Sequence, residues 1–169
     1  MYLEYFKKEI IPLKQKLYRF VRAYLKNEAS AEDIVQDVFL KLWDNRDEFR
    51  KIQNVEAWSM TMARNMVLDK LRRERNYSVD PHEMSMNGYN NETPEMIMER
   101  DEVRTDIRRV IERLPDKQKE VILLREIEGY SYQKIGEIMG IDQNLVKVTL
   151  FRARENLRKK ILKTERYGL

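Results

Sequence analysis

A chain of 169 residues, 42% apolar and 37% charged, has room for one ordinary domain or two small ones under a heavily solvated surface. Five glycines, four prolines and an abundance of Leu, Ile, Met, Glu, Lys and Arg favour helices over sheets, because straight-chain residues lose little rotamer freedom in a helix. Zero cysteines exclude disulfide and thiolate chemistry, and a net charge of +4 points to a polyanion partner only if the cations cluster.

Charges interrupt the opening Met1–Glu9 at once, which is not the pattern of a signal peptide, and the run Val121–Leu124 is too short to span a bilayer. The expectation is a soluble cytoplasmic protein without membrane insertion. There is no Gly-rich phosphate loop, no Cys/His metal spacing and no Ser/His/Asp constellation; the single histidine, His82, falls in a polar stretch. No catalytic residue, metal or cofactor is therefore expected, and the chain reads as a non-enzyme.

The first block of helices extends to about Arg75. Leu13, Leu17, Phe20, Val21, Tyr24 and Leu25 recur at helical spacing. Asn27 to Ser30 breaks that run, and Ser30 is read as the cap of a second helix with Asp33 at its third position. On that helix Ile34, Val35, Val38, Phe39, Leu42 and Trp43 form a broad stripe expected to be buried. The opposite face carries Asp33, Gln36, Asp37, Leu40, Lys41 and Asp44. Between Ser30 and Arg50 six acids oppose three bases, a poor DNA ligand, while an apolar Leu40 ringed by polar groups suits a protein contact.

A third helix is expected from about Asn54 to the basic end Leu71–Arg75. Trp58, Thr61, Asn65, Asp69 and Arg72 share a face, beside Arg64, Lys70, Arg73 and Arg75. An aromatic ring, an amide and cations stack on and hydrogen-bond to unstacked bases while holding phosphates. Core packing is the competing reading for Trp58. Asn65 is the stronger candidate, since a buried Asn would need several partners.

From Asn76 to Glu92 turn formers replace the helical period, and these 17 residues read as a flexible linker. Fully extended, it reaches about 60 Å at about 3.5 Å per residue. Thr93 as cap and Pro94 at the first helical position open the second block. Helices are expected at about 94–113, 115–127, 131–139 and 143–163. The fold class is thus all-α, two small helical domains at 1–75 and 93–169 joined by the linker at 76–92.

The most specific stretch is Ser131–Leu150. Ser131 caps a short helix, Gly136 lets a second helix cross closely, Gly140 makes the tight turn and Asp142 caps the next helix. Ile135, Met139, Ile141, Val146 and Leu150 lock the pair together. That leaves Gln143, Asn144, Lys147, Phe151, Arg152 and Arg154 outward, as on the recognition helix of a helix-turn-helix in a major groove. Residues 143–163 carry seven cations against the single acid Glu155, whereas an ordinary solvated helix mixes its signs.

Here the sequence resembles a known family. Leu114–Gly140, with Val146-Lys147 and Phe151–Arg158, looks like the fourth conserved region of extracytoplasmic-function sigma factors. Ala31–Trp43 resembles that family's region-two helix that docks on the polymerase clamp, and Ala57–Arg73 its segment that reads and melts the minus-10 element. The resemblance covers roughly residues 10–75 and 95–163, in family order. It implies core RNA polymerase (largest-subunit clamp and flap), promoter DNA and an anti-sigma factor as partners, and a monomer when free. It implies minus-35 contacts from Gln143, Asn144, Lys147, Thr149, Phe151, Arg152 and Arg154. Minus-10 contacts would come from Asn54, Trp58, Thr61, Arg64, Asn65, Arg72 and Arg73, and polymerase contacts from Asp33, Gln36, Asp37, Leu40, Lys41 and Asp44. In the family the loop Arg50–Val55 pockets a flipped base, whose capture offsets the few kcal/mol of unstacking. One departure stands out: where family recognition helices often read Gly-Thr-Val-Lys-Ser-Arg, this chain has Asn144–Thr149, with Val148 and Thr149 replacing a hydroxyl and a cation.

Two other readings compete. A conventional helix-turn-helix regulator predicts dimers, a symmetric operator and specific duplex binding by the isolated protein. A helical adaptor predicts indifference to DNA and leaves the basic helix unexplained.

Overall fold

Helix begins at the second residue, and Pro12 dictates how it continues. The computed structural model describes residues 1–49, 51–77 and 107–166. In it α1 (Tyr2–Tyr5) runs through a π-helical turn at Phe6–Ile10 and a 3-10 turn at Ile11–Leu13 into α2 (Lys14–Tyr24). Proline has no N–H to donate to the carbonyl four residues back, so the helix widens ahead of it, the Ile11 N–H reaching five residues back to Phe6.

The remaining elements are α3 (Glu28–Asp44), α4 (Arg46–Phe49), α5 (Val55–Tyr77), α6 (107–112), α7 (Asp116–Ile122) with a π-helical turn at Leu123–Ile127, α8 (Tyr132–Met139) and α9 (Gln143–Arg166). Among the described residues the fold is all-α, and none of its helices is long and apolar enough to cross a membrane. The chain divides into two compact units, Met1–Gly88 and Tyr89–Leu169. Most of the expected linker, His82, the Thr93–Pro94 start signal and the helix start at 94 lie outside the described residues. Asn76 and Tyr77, assigned to the linker from sequence, belong to α5, whose last turns carry the i,i+4 pair Lys70–Glu74 at 3.7 Å.

In the first unit α2, α3 and α5 pack pairwise around Leu17, Phe20, Val21, Val38, Leu42, Met60 and Val67, all at most 2% exposed. The cap of α3 is Asn27 rather than Ser30. Leu25 turns extended and ends α2, and the extended Asn27 offers its side chain to the Ser30 N–H at 2.9 Å and its carbonyl to Ala31. Ser30 is thereby drawn into the first turn, since Asn caps as well as Ser and comes first in the chain. Trp43 also departs from expectation. It sits on the flank of α3 and is 37% exposed, covered not by the core but by Tyr2 and Phe6, whose ring centroids lie 5.4 and 5.2 Å away. The Tyr2 hydroxyl donates to the Leu42 carbonyl at 2.8 Å, one of the last carbonyls of α3 that the helix itself leaves unpaired.

In the second unit α7 and α8 both pack on α9, burying Val121, Ile122, Leu124, Ile135, Ile138, Val146, Leu150 and Ala153. The α8–α9 crossing depends on two glycines for different reasons. A Cβ on Gly136 would lie 2.7 Å from the Ile141 carbonyl oxygen, while Gly140 has open space around it but a left-handed φ of 67°. Gly136→Ala is expected to cost about 3 kcal/mol, as overpacking against backbone that cannot yield. Gly140→Ala should cost only the left-handed preference, about 1–2 kcal/mol. Denaturant unfolding of both variants beside the parent checks that order, and equal losses would contradict the close-approach argument.

Candidate nucleic-acid interface

The helix-turn-helix is held by short-range hydrogen bonds that its sequence supplies. Ser131 Oγ accepts from the Lys134 N–H at 3.1 Å and caps α8. The Ile141 N–H returns to the Gly136 carbonyl at 3.0 Å across the Gly140 turn. Asp142 Oδ1 accepts from the Asn144 N–H at 2.6 Å and opens α9. The preceding connection is pinned by Arg125, which donates to the Tyr130 carbonyl at 2.8 Å and stacks 4.9 Å from the Tyr132 ring centroid. From this base α9 runs for 24 residues, about 36 Å at 1.5 Å per residue.

The burial of Val146, Leu150 and Ala153 sets the inward side of α9. Gln143, Asn144, Lys147, Phe151 and Arg152 are all exposed, and Thr149 is half-buried on the flank. Arg154 is exposed but engaged: its guanidinium donates through Nε and Nη2 to the Glu126 carboxylate, the Nε bond at 2.9 Å. The hydrogen bond to Glu126 pushes the Arg154 pKa above its ordinary value against a smaller opposing effect of burial. Arg158 lies 3.5 Å from Glu155, and Lys160 donates to the Arg113 carbonyl at 3.1 Å. Lys147 and Arg152 make no ion pair among the described residues. The helix therefore divides its cations between those braced inside the unit and those directed to solvent. Sequence reading could not make that division for Arg154, whose partner lies 28 residues away.

In the first unit Asp33, Gln36, Asp37, Leu40, Lys41 and Asp44 all lie exposed on the side of α3 opposite Ile34, Val35, Val38 and Leu42. Leu40 is 59% exposed, and Trp43 follows it by one helical turn, an aromatic neighbour that the sequence reading had placed in the core.

On α5, Asn54 is the N-cap: its Oδ1 accepts from the Ala57 N–H at 3.0 Å. Trp58 is 40% exposed, one side resting on Phe49 with ring centroids 4.5 Å apart, so it is both packed and presented. Thr61, half-buried, donates its hydroxyl to the Ala57 carbonyl at 2.8 Å, and Arg64 is half-buried. Asn65, Arg72 and Arg73 are exposed, with Arg72 3.8 Å from Asp69. Trp58, Asn65 and Arg72 stand seven residues apart, about 10 Å per step along one line of the helix. Among the described residues no group of three or more His, Cys, Asp or Glu could hold a metal ion.

Comparison with known proteins agrees with this two-part layout. The Sigma-70 region 2 model matches residues 11–77 and the Sigma-70 region 4 model matches residues 104–157. The chain is 31% identical over 157 residues to the ECF RNA polymerase sigma factor SigW of Bacillus subtilis, covering 88% of this chain and 84% of that one. It is 30% identical over 161 residues to the ECF RNA polymerase sigma-E factor of Escherichia coli K12, covering 90% and 84%. Among solved structures it is similar to the sigma factor RpoE of Bartonella quintana, solved with the anti-sigma factor NepR, at a TM-score of 0.76 and 25% identity over 92% of this chain and 96% of that one. The fold is also that of CnrH, solved with the cytosolic domain of CnrY, at a TM-score of 0.65 and 21% identity over 94% and 88%. With both regions matched in order and such relatives aligned over most of their length, the chain belongs to the extracytoplasmic-function (ECF) RNA polymerase sigma factors.

Proposed function

We propose that the protein directs promoter-specific transcription initiation by core RNA polymerase through a division of labour between its two units. The observation that carries this reading is the opposite chemistry of two exposed helix faces. The α3 face, acidic around Leu40, repels phosphate and suits a protein surface, whereas the outward face of α9 is cationic and reaches solvent from a helix-turn-helix. Residues 1–75 dock on the largest polymerase subunit through Asp33, Gln36, Asp37, Leu40, Lys41 and Asp44. They open the minus-10 element with Trp58, Asn65 and the cations near them, Asn54 serving to start the helix. Residues 93–169 place α9 on the minus-35 element through Gln143, Asn144, Lys147, Thr149, Phe151 and Arg152. Melting on this scheme draws on binding energy and needs no catalytic group: stacking an exposed base is worth about 1–3 kcal/mol, comparable to the cost of extruding it.

An anti-sigma protein is a further partner in this proposal. The sigma factor RpoE was solved in complex with the anti-sigma factor NepR, and the exposed Leu40 face is a surface such a regulator would cover.

Reconstitution of the full chain with bacterial core polymerase on a promoter library tests the whole reading: specific initiation is expected from the complex. Specific binding of a symmetric duplex site by the isolated chain as a dimer would instead indicate a conventional regulator. Asp37→Arg should abolish co-purification with core polymerase while leaving the thermal unfolding of the chain unchanged. Lys147→Ala and Arg152→Ala should weaken minus-35 binding and each lower the salt slope by about 0.9 if it removes one phosphate contact. Glu126→Gln separates brace from contact at Arg154. The ion pair is half-exposed, so unfolding should shift by under about 1 kcal/mol, and the freed Arg154 should steepen the salt dependence of promoter binding. An unchanged slope would show that Arg154 never reaches the phosphates.

A further inference from the structure

Cations alone do not describe the outward side of α9. Its inner line is Val146, Leu150 and Ala153, and at 100° per residue the opposite line falls on Asn144, Val148 and Phe151, with Leu145 and Arg152 on one flank and Lys147 on the other. Val148 is 44% exposed, Leu145 45% and Phe151 67%. Single exposed apolar residues are ordinary on any surface. Three within two turns, on the outward side of the one helix positioned to enter a groove, form a patch that calls for an occupant.

We propose that Val148 and Phe151, with Leu145 beside them, are specificity-determining residues that read thymine C5-methyl groups in the major groove of the minus-35 element. The inference rests on the reading of α9 as the minus-35 helix. In the major groove only thymine presents an apolar group; the edges of adenine, guanine and cytosine present donors and acceptors. An apolar side chain seated on a G·C edge would leave those polar groups without water or partner, at a cost on the order of 1–3 kcal/mol each. Val148 and Phe151 thus favour A·T pairs by attraction to the methyl and by exclusion of the alternatives. Asn144, exposed on the same line, carries the amide that pairs with adenine N6 and N7. Nucleic acid rather than an apolar protein surface is the occupant because Lys147 and Arg152 are exposed beside the patch.

The test uses holoenzyme reconstituted from the full chain and bacterial core polymerase, on the strongest promoter selected from a library. Each thymine of its minus-35 element is replaced singly by deoxyuridine, which removes the methyl and leaves pairing and hydrogen-bonding edges intact. At one or two positions affinity should fall about fourfold, which is one buried methyl of about 0.8 kcal/mol at about 1.4 kcal/mol per tenfold. Val148→Ala and Phe151→Ala, both at exposed positions, should each erase the difference between thymine and deoxyuridine at one of those positions. Indifference to deoxyuridine throughout, with a salt-dependent minus-35 preference retained, overturns methyl reading, leaves α9 on the element and gives the patch to a protein partner. A selected element without thymine opposite α9 overturns it as well. Loss of any minus-35 preference in the parent holoenzyme would remove the underlying reading together with this one.

Discussion

Where Gly136 faces the Ile141 carbonyl, α8 and the start of α9 stand closer than any side chain would permit. The Gly136 carbonyl also accepts the Ile141 N–H, so one residue holds both the distance and the direction of the turn. Everything presented by the second unit follows from that contact. It sets which side of α9 is buried, and the helical period then assigns Asn144, Lys147, Val148, Phe151 and Arg152 to the outer surface. The hydrophobic residues beneath supply most of the energy, but the glycine decides the angle at which that energy is gained.

The helix-turn-helix was legible because its determinants are local. Ser131, Gly136, Gly140 and Asp142 act on groups within five residues, and residue type and spacing report such bonds directly. Misreadings arose where a distant part of the chain intervened. Trp43 lies on the apolar side of its helix in sequence, yet Tyr2 and Phe6 cover it at the edge of the unit. The α3 cap shows a subtler failure: Asn27 and Ser30 are both competent, and the choice was settled by where Leu25 ends the preceding helix. Arg154 looked like one more cation on a basic helix, because nothing in the local sequence announces Glu126. The exposed faces of α3 and α9 were read from period and charge alone, but their use by partners is a chemical inference that folding does not reveal.

The modest net charge conceals a strong internal separation. A chain at +4 overall carries an acidic surface on α3 and a cationic one on α9, and the brace between Glu126 and Arg154 engages one cation of the latter. Steering by such a molecule is therefore regional: each unit presents to its partner a field that the whole-chain charge does not describe.

The length of α9 has a consequence for how much of it DNA can engage. A rod of about 36 Å is as long as one full pitch of B-DNA, about 34 Å. Over that distance the groove winds completely around the duplex axis, while the helix continues straight. If α9 enters the groove as proposed, the two paths part after the first turns, and base contact would be confined to the end nearest Asn144. On that placement the trailing stretch, with Lys159 and Lys163 exposed, would be carried out of the groove and over the backbone, where a positive charge is useful whatever the sequence beneath it.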